Sequence, residues 1–220
     1  MGDGEDIMAD LTPELALPEH KTLLYELNHR INNEFTSAIS AISLAAARSD
    51  NPEVKLALTG VTELLHRYVD VHRALQVPDA DTLIDAATYL RQLCLSICRS
   101  KLDHMRIDLV YVACPLRLES DRCWRLGMIV YELITNAARH AFAAGGGEIR
   151  VELLRAGSFV ACKVQDNGSR PKYARTGRGL RIVDKLATTL NGRFEQRFAS
   201  RGSISMLAFP YHGAQQRKTK

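Results

Sequence analysis

The sequence predicts a two-module protein, a helical hairpin followed by an α+β sandwich, so that the chain as a whole is multidomain α and α+β. Three observations predict it. Apolar residues recur at helical spacing from Glu19 to Ser49 and again from Glu53 to about Gln76, with Asn51-Pro52 breaking the run between them. From Thr82 onward, short apolar runs bounded by turn residues are interleaved with helical stretches, the pattern of helices packed on a sheet. Three segments rich in polar residues and glycine fall in this second module in a fixed order: YELITNAARHAF (Tyr131–Phe142), VQDNG (Val164–Gly168) and TGRGLRIV (Thr176–Val183).

Along the first helix, Leu24, Leu27, Ile31, Phe35, Ala38 and Ile42 lie within about 40° of one line. His29 lies roughly 140° away, outside that seam, and shares its face with Glu26, Asn33 and Thr36. The second helix repeats Val54, Leu58, Val61, Leu65, Val69 and His72. Two antiparallel helices cannot close a core alone, so a second copy is expected to complete a four-helix bundle. Residues 19–77 form this hairpin module. Residues 1–18 carry Asp3, Glu5, Asp6, Asp10 and Glu14 and no Lys or Arg, and are expected to be flexible. Val77-Pro78-Asp79-Ala80-Asp81 reads as the linker.

The second module spans 82–210, with a basic tail at 211–220. It should begin with a short strand at Thr82–Ile84 and a helix from Ala86 to about Arg99. Strands follow at Arg106–Val112 and Leu116–Leu118, then a helix at about Arg122–Phe142. The Gly145–Gly147 turn leads to strands Glu148–Leu154 and Phe159–Val164. A helix ending at Leu190 and strands Gly192–Phe198 and Ser203–Phe209 complete one mixed sheet with helices on one face.

In the helix around Tyr131–Phe142, Leu126, Val130, Leu133, Ile134, Ala137 and Ala141 share an apolar side, and Glu132, Asn136 and Arg139 point the other way, with His140 at the edge. The Asn136 amide can coordinate Mg²⁺, a hard cation that takes oxygen ligands. Glu132 can hold a metal-bound water or accept a proton, and Arg139 and His140 can meet phosphate oxygens. Asp166 closes an apolar strand, where its carboxylate can accept from a purine amino group; Gly168 permits close backbone approach. Gly177 and Gly179 open a helix, where exposed N–H groups and the helix dipole suit an anion. Arg170, Lys172, Arg175, Arg178 and Arg181 surround that entry, with no acid between Asn167 and Val183. Each signal alone also fits an ordinary solvated helix, a common turn or a basic loop. Their order together carries the reading.

These residues resemble the Bergerat-type ATPase domain of two-component histidine kinases. Glu132-Leu133-Ile134-Thr135-Asn136-Ala137 is similar to its N box, Asp166-Asn167-Gly168 to its first glycine box, and Gly177-Arg178-Gly179-Leu180 to its second. Gly202-Ser203-Ile204-Ser205 is similar to the closing strand. Glu26 to Asn33 (ELNHRINN) resembles the phosphoacceptor helix of the His-Arg-x-x-Asn subclass. The resemblance runs from about Lys21 to Pro210. It implies an ATP-dependent protein-histidine kinase in which Asn136 binds Mg²⁺, Asp166 binds the adenine amino group, and the glycines flank phosphates. It also implies that His29 is phosphorylated, with Arg30 and Asn33 as partners, and that the phosphoryl group passes to an Asp of a response regulator receiver domain. The sequence departs from the family pattern at Arg170, which stands where a second glycine is expected, at the short segment between Gly168 and Gly177, and at Asn32, which replaces a basic residue. A phosphotransferase without ATP chemistry and an anti-sigma-factor type Ser/Thr kinase are the alternative readings. Arg170 and the short segment favour the first, whereas Asn136, Asp166 and Gly179 oppose it; the His29 context opposes the second.

Bulk properties bound the rest. The chain has 220 residues, 46% hydrophobic content and net charge +4, enough for a helical module and an α/β domain. The mildly basic balance, without reader motifs or interleaved aromatics, argues against nucleic-acid binding. Five cysteines show no metal-binding spacing and fit a reducing cytoplasm. No apolar run reaches the roughly 18 residues of a membrane span, and no signal peptide is evident. Little sequence precedes His29, so input is expected from a separate sensor or activator protein, or the protein acts as a relay.

Overall fold

The computed structural model describes residues 16–76, 83–142, 145–169, 178–199 and 201–211. The acidic N-terminal residues, the 77–81 linker, the segment carrying Arg170, Lys172, Arg175 and Gly177, and the basic tail beyond Tyr211 lie outside these residues. The chain divides into two compact units, Met1–Leu65 and His66–Lys220.

In the first unit, α1 (Ala16–Arg48) and the start of α2 (Pro52–Ala74) form the hairpin. Asn51 does more than interrupt the chain. Its Oδ1 accepts the Glu53 N–H at 2.9 Å, capping α2, and Pro52 occupies the first helical position, where its missing N–H costs nothing. The half-buried residues of α1 include Ile31, Phe35, Ile39, Ile42 and Ala46. This stripe is rotated from the expected one: Leu27 is 53% exposed and Ala38 is exposed. No residue of this unit whose burial is described is fully buried.

The second unit includes the last turns of α2, β1 (Leu83–Asp85), α3 (Ala86–Ile97), β2 (Ile107–Ala113), β3 (Arg117–Glu119), α4 (Ser120–His140), β4 (Gly147–Ala156), β5 (Phe159–Asp166), α5 (Arg178–Thr189), β6 (Arg193–Phe198) and β7 (Ser203–Pro210). Five strands form one sheet in the order β2-β4-β5-β7-β6; β2 and β4 are parallel and the other neighbours antiparallel. The expectation of a single sheet needs one correction. β1 and β3 pair only with each other, Ile84 opposite Leu118, as a separate two-stranded ladder. Strands of three residues are too short to announce their partners.

Strand alternation supplies one side of the core: Ile149, Val151 and Leu153 of β4, Val160, Cys162 and Val164 of β5, and Leu207 and Phe209 of β7 are buried. The helices supply the other side through Leu90, Leu93 and Ile97 of α3, Leu126, Ile129, Val130 and Ile134 of α4, and Val183 and Ala187 of α5. The opposite face of the sheet carries polar pairs such as Lys163–Glu152 at 2.9 Å. Beyond Ile97, where a plain helix to Arg99 was expected, the chain widens into a π-helical turn, Cys98–Leu102, and then a 3-10 turn, Asp103–Met105. Arg106 ends these turns with φ 56°.

The last turns of α2 are built into this unit. Val69 and Val71 are buried, and the Trp124 indole N–H donates to the Leu75 carbonyl at 2.8 Å. The Lys101 ammonium lies 5.8 Å from the centre of the Tyr68 ring and 5.5 Å from that of Tyr131, a cation–π contact on both sides.

Candidate functional site

α4 is the spine of the site. Its apolar stripe is buried against the sheet, which leaves Glu132 and Asn136 half-buried on the flank facing α5. The entry of α5 comes up against this flank. A Cβ at Gly179 would lie 2.5 Å from Glu132 Oε2 and 3.1 Å from Asn136 Nδ2, so any larger residue intrudes on both side chains. Leu180, half-buried, packs on the core just inside the helix, and Val183 anchors it. The Arg125 guanidinium secures the far end of α5 by donating to the Thr189 carbonyl at 2.9 Å. Thus the second glycine segment, remote in sequence, meets the Glu/Asn face of α4 directly.

The Asp-Asn-Gly turn is fixed on three sides. β5 continues two residues beyond its expected end, placing Asp166 in the inward register at 4% exposure. Its Oδ1 accepts the Gly168 N–H at 3.0 Å. Its Oδ2 accepts the Ser203 N–H at 3.2 Å and the Ser203 hydroxyl at 2.5 Å. Asn167 turns away from this carboxylate, and its Oδ1 accepts the Glu148 N–H at 2.8 Å, tying the turn to β4. Gly168 presses on the end of α4: a Cβ there would fall 2.3 Å from the Ala141 carbonyl oxygen, and Ser169 N–H donates to that same oxygen at 2.9 Å. The turn therefore locks to the C-terminal end of the helix that carries Asn136.

Ser203 is the participant sequence reading missed. The Gly-Ser-Ile-Ser segment was visible, but nothing local shows that its first hydroxyl reaches a carboxylate 37 residues earlier in the chain. Arg139 and His140 are exposed in the last turn of α4 and make no hydrogen bond to other described residues. Gly177 lies outside the described residues, and the Arg178 side chain is not described.

A divalent cation and a nucleotide fit this donor set. No cluster of three or more His, Cys, Asp or Glu side chains able to hold a metal exists among the described residues. Mg²⁺ is commonly held by one or two protein oxygens together with substrate phosphates, and the Glu132 and Asn136 oxygens beside Gly179 fit that chemistry. Cys94, Cys123 and Cys162 are buried, and burial pushes the thiols of all three up to about 12, so they stay protonated and inert.

On α1, His29 is exposed. Its Nδ1 lies 3.2 Å from Asn33 Nδ2, one helical turn on. The Arg30 guanidinium meets Glu26 Oε1 at 2.6 Å, also one turn apart. Three of the four expected polar residues thus form two interleaved pairs with His29 on one helix. No helix among the described residues is long and apolar enough to cross a membrane.

Comparison with known proteins agrees with this geometry. Residues 26–101 match a family profile described as histidine kinase, and residues 98–202 one described as histidine kinase-like ATPase domain. The sensor histidine kinase PdtaS of Mycobacterium tuberculosis is 28% identical over 160 residues, covering 70% of this chain and 31% of that protein. PdtaS of Mycolicibacterium smegmatis is 27% identical over 191 residues, covering 79% of this chain and 36% of that protein. The chain therefore spans about a third of the length of these relatives. Among solved structures, the histidine kinase domain of the Erythrobacter litoralis EL346 blue-light activated histidine kinase superposes with TM-score 0.57 at 19% identity, covering 80% of this chain and 95% of that one. Full-length ShkA in complex with AMPPNP gives TM-score 0.54 at 17% identity, covering 88% and 46%. A bacterial phosphotransferase gives TM-score 0.58 at 11% identity, covering 92% and 100%. At these identities the structural likenesses establish the fold.

Proposed function

Because the chain belongs to the histidine kinase family, with a phosphoacceptor region followed by a histidine kinase-like ATPase domain, we propose that it is an ATP-dependent protein-histidine kinase that phosphorylates His29 and passes the phosphoryl group to an Asp of a response regulator. The carrying observation is the meeting of Gly179 with Glu132 and Asn136 on one side of α4 while Gly168 and Asp166 lock to its end. That arrangement supports a reading in which a cation ligand, a purine acceptor and a phosphate-facing helix entry gather around a single helix.

In this reading, residues 19–77 are the dimerisation and phosphotransfer module and residues 82–210 the ATP-binding module. Asp166, held by Ser203, accepts from the adenine amino group. Gly168, Gly179 and Leu180, with Gly177 by resemblance, would flank the phosphates, and Arg139 and His140 would offer cationic and donor groups to their oxygens. Asn136 would hold Mg²⁺ through its amide oxygen, with Glu132 beside it. The cation, when bound, offsets charge that develops on the transferring phosphoryl group. Arg30, paired to Glu26, and Asn33 frame the His29 ring. Five unpaired cysteines suit a cytoplasmic setting.

The hairpin's surface supports a homodimer. Val54, Ala57, Val61 and Leu64 form an exposed stripe at alternating spacings of three and four along α2, and Leu27, Ala38, Ala41 and Ala45 lie exposed along α1. With no buried residue described in that unit, a second copy is needed to cover these stripes and make a bundle.

The test is incubation of the purified protein with γ-labelled ATP and Mg²⁺ beside His29→Ala and Asn136→Ala. Acid-labile, base-stable label on the wild type and on neither variant is the expected result. A second reading, a phosphotransferase without ATP chemistry, rests on Arg170 and on the short segment between Gly168 and Gly177; a structure titled as a bacterial phosphotransferase shares the fold. Absence of both label and ATP binding would select it.

A further inference from the structure

Resting on the nucleotide-site reading above, we propose that Lys101 is a positioning residue for that site: its ammonium, between the rings of Tyr68 and Tyr131, straps the last turns of α2 onto α4 one residue ahead of Glu132, and nucleotide affinity depends on that strap.

Lys101 reaches its place through a break in helical period. In α3, Leu90, Leu93, Cys94 and Ile97 face the core at spacings of three and four. Continued, that spacing assigns the next inward positions to Ser100 and Lys101, and an unpaired ammonium in the core carries a large desolvation cost. The π-helical turn Cys98–Leu102 changes the phase: the Asp103 N–H donates to the Cys98 carbonyl, five residues back. Leu102, fully buried, takes the core position, and Lys101 is displaced to a half-buried edge. The buried Ser100 hydroxyl donates to the Ile97 carbonyl at 3.2 Å, which offsets its own desolvation.

At that edge the ammonium lies 5.8 Å from the Tyr68 ring centre and 5.5 Å from that of Tyr131, and each ring face attracts a cation. Tyr131 follows Trp124 by seven residues on α4, and Leu75 follows Tyr68 by seven at the end of α2. Residues seven apart share one face of a helix. The contacts pair Tyr68 with Tyr131 through Lys101, and Leu75 with Trp124 through the indole N–H at 2.8 Å. The tail of α2 therefore runs antiparallel along one face of α4, fastened at both ends. Val69 and Val71 are buried between the fastenings, and the Arg67 guanidinium donates to the Arg99 carbonyl of the π-helical turn at 3.4 Å.

The Lys101 fastening is the one beside the site. Tyr131 and Glu132 are adjacent, so they point about 100° apart from the same turn of α4. Holding Tyr131 fixes the rotation of the turn whose other flank carries Glu132 and, four residues on, Asn136. A turn already fixed loses less freedom when a ligand orders it, which raises affinity. The coupling is reciprocal: a nucleotide that favours the fixed turn also favours the docked tail.

The test is hydrogen–deuterium exchange on the full chain, for wild type, Lys101→Met and Lys101→Arg, with and without a non-hydrolysable ATP analogue and Mg²⁺, beside calorimetry of analogue binding. Without nucleotide, the amides of residues 68–75 are expected to exchange about threefold to tenfold faster in Lys101→Met, the scale of one lost cation–π contact. The analogue should slow those amides in the wild type and slow them less in Lys101→Met, whose affinity should fall about threefold to tenfold. Lys101→Arg keeps a cation between the rings and should stay within about twofold of wild type in both measurements. Unchanged tail exchange in Lys101→Met overturns the proposal. So does wild-type affinity in Lys101→Met with a loosened tail, which would make the strap purely structural. A wild type that binds no analogue sinks the nucleotide-site reading and this inference with it, while the exchange without nucleotide still reads whether Lys101 holds the tail.

Discussion

Asp166, proposed above as the purine acceptor, is a carboxylate oriented by the fold itself. Three donors already point at it, from Gly168 and twice from Ser203, which orients both oxygens and leaves the remaining lone pairs directed. Removing the Ser203 hydroxyl frees the carboxylate to rotate. Ser203→Ala should lower the melting temperature by roughly 3–6 °C, because a hydrogen bond to a charged group contributes about 1.5 kcal/mol, and should also weaken binding of a non-hydrolysable ATP analogue in calorimetry. Tyr89 gives the opposite lesson. Its hydroxyl is buried with no partner among the described residues, and burial raises its phenol well above the usual range. Tyr89→Phe should stabilise the protein by about 0.5–1 kcal/mol in denaturant titration, since the group it removes is one whose desolvation nothing offsets.

Elements here are held at their ends. Asp85 caps α3: Oδ1 accepts from Ala87 N–H and Thr88 N–H, and Oδ2 accepts the Thr88 hydroxyl at 2.8 Å. The Thr88 side-chain hydrogen bond, then the Thr88 backbone bond, hold this carboxyl below its ordinary 3.8 despite some desolvation; the Ala87 bond and Arg117 add to the effect. A depressed carboxyl contributes stability that is fully present above its unfolded value and lost as pH falls through its folded one. Asp85→Ala should therefore cost about 1 kcal/mol at neutral pH, and the gap from wild type should close below roughly pH 4 in acid titrations followed by circular dichroism. At the other end of the scale of tolerance, Gly168→Ala sets a Cβ against the Ala141 carbonyl. Backbone cannot swing aside as a side-chain tip can, so a loss of at least 2 kcal/mol and a weaker nucleotide site are expected together, read by melting and by analogue binding.

Much of this was legible in the sequence. Both long helices, α4, β4, β5 and β7 lie within a few residues of their expected bounds, because hydrophobic period and turn residues are local signals. Asn136 with Gly179 emerged from motif order alone. Less legible was whatever depends on a distant partner: the private ladder of β1 with β3, and Ser203 on Asp166. The π-helical turn at Cys98–Leu102 was equally hidden, since a shift of hydrogen bonding by one residue leaves composition unchanged. The stripe on α1 was found but misaligned, because a single chain covers only one edge of an apolar face that two copies are proposed to share.

For the whole molecule, the contrast between the units is the main fact. The second has a continuous core; the first has no fully buried residue among those described. Charge placed on the exposed α2 stripe should separate the copies. Val61→Glu is expected to run as a monomer in sedimentation velocity where the wild type runs as a dimer, while analogue binding in the second unit stays within about twofold, since mutations at distant, independent sites act additively.

The position of β7 within the sheet has a consequence for how the protein is born. This strand lies between β5 and β6 although it follows both in the chain, and its first residue supplies two of the donors on Asp166. A nascent polypeptide that has not yet released residue 203 can already pair β4 with β5, yet it lacks two of the three donors that orient Asp166, the proposed purine acceptor. Under the proposed reading, the pocket around Asp166 is therefore completed by one of the last segments of the chain to be made.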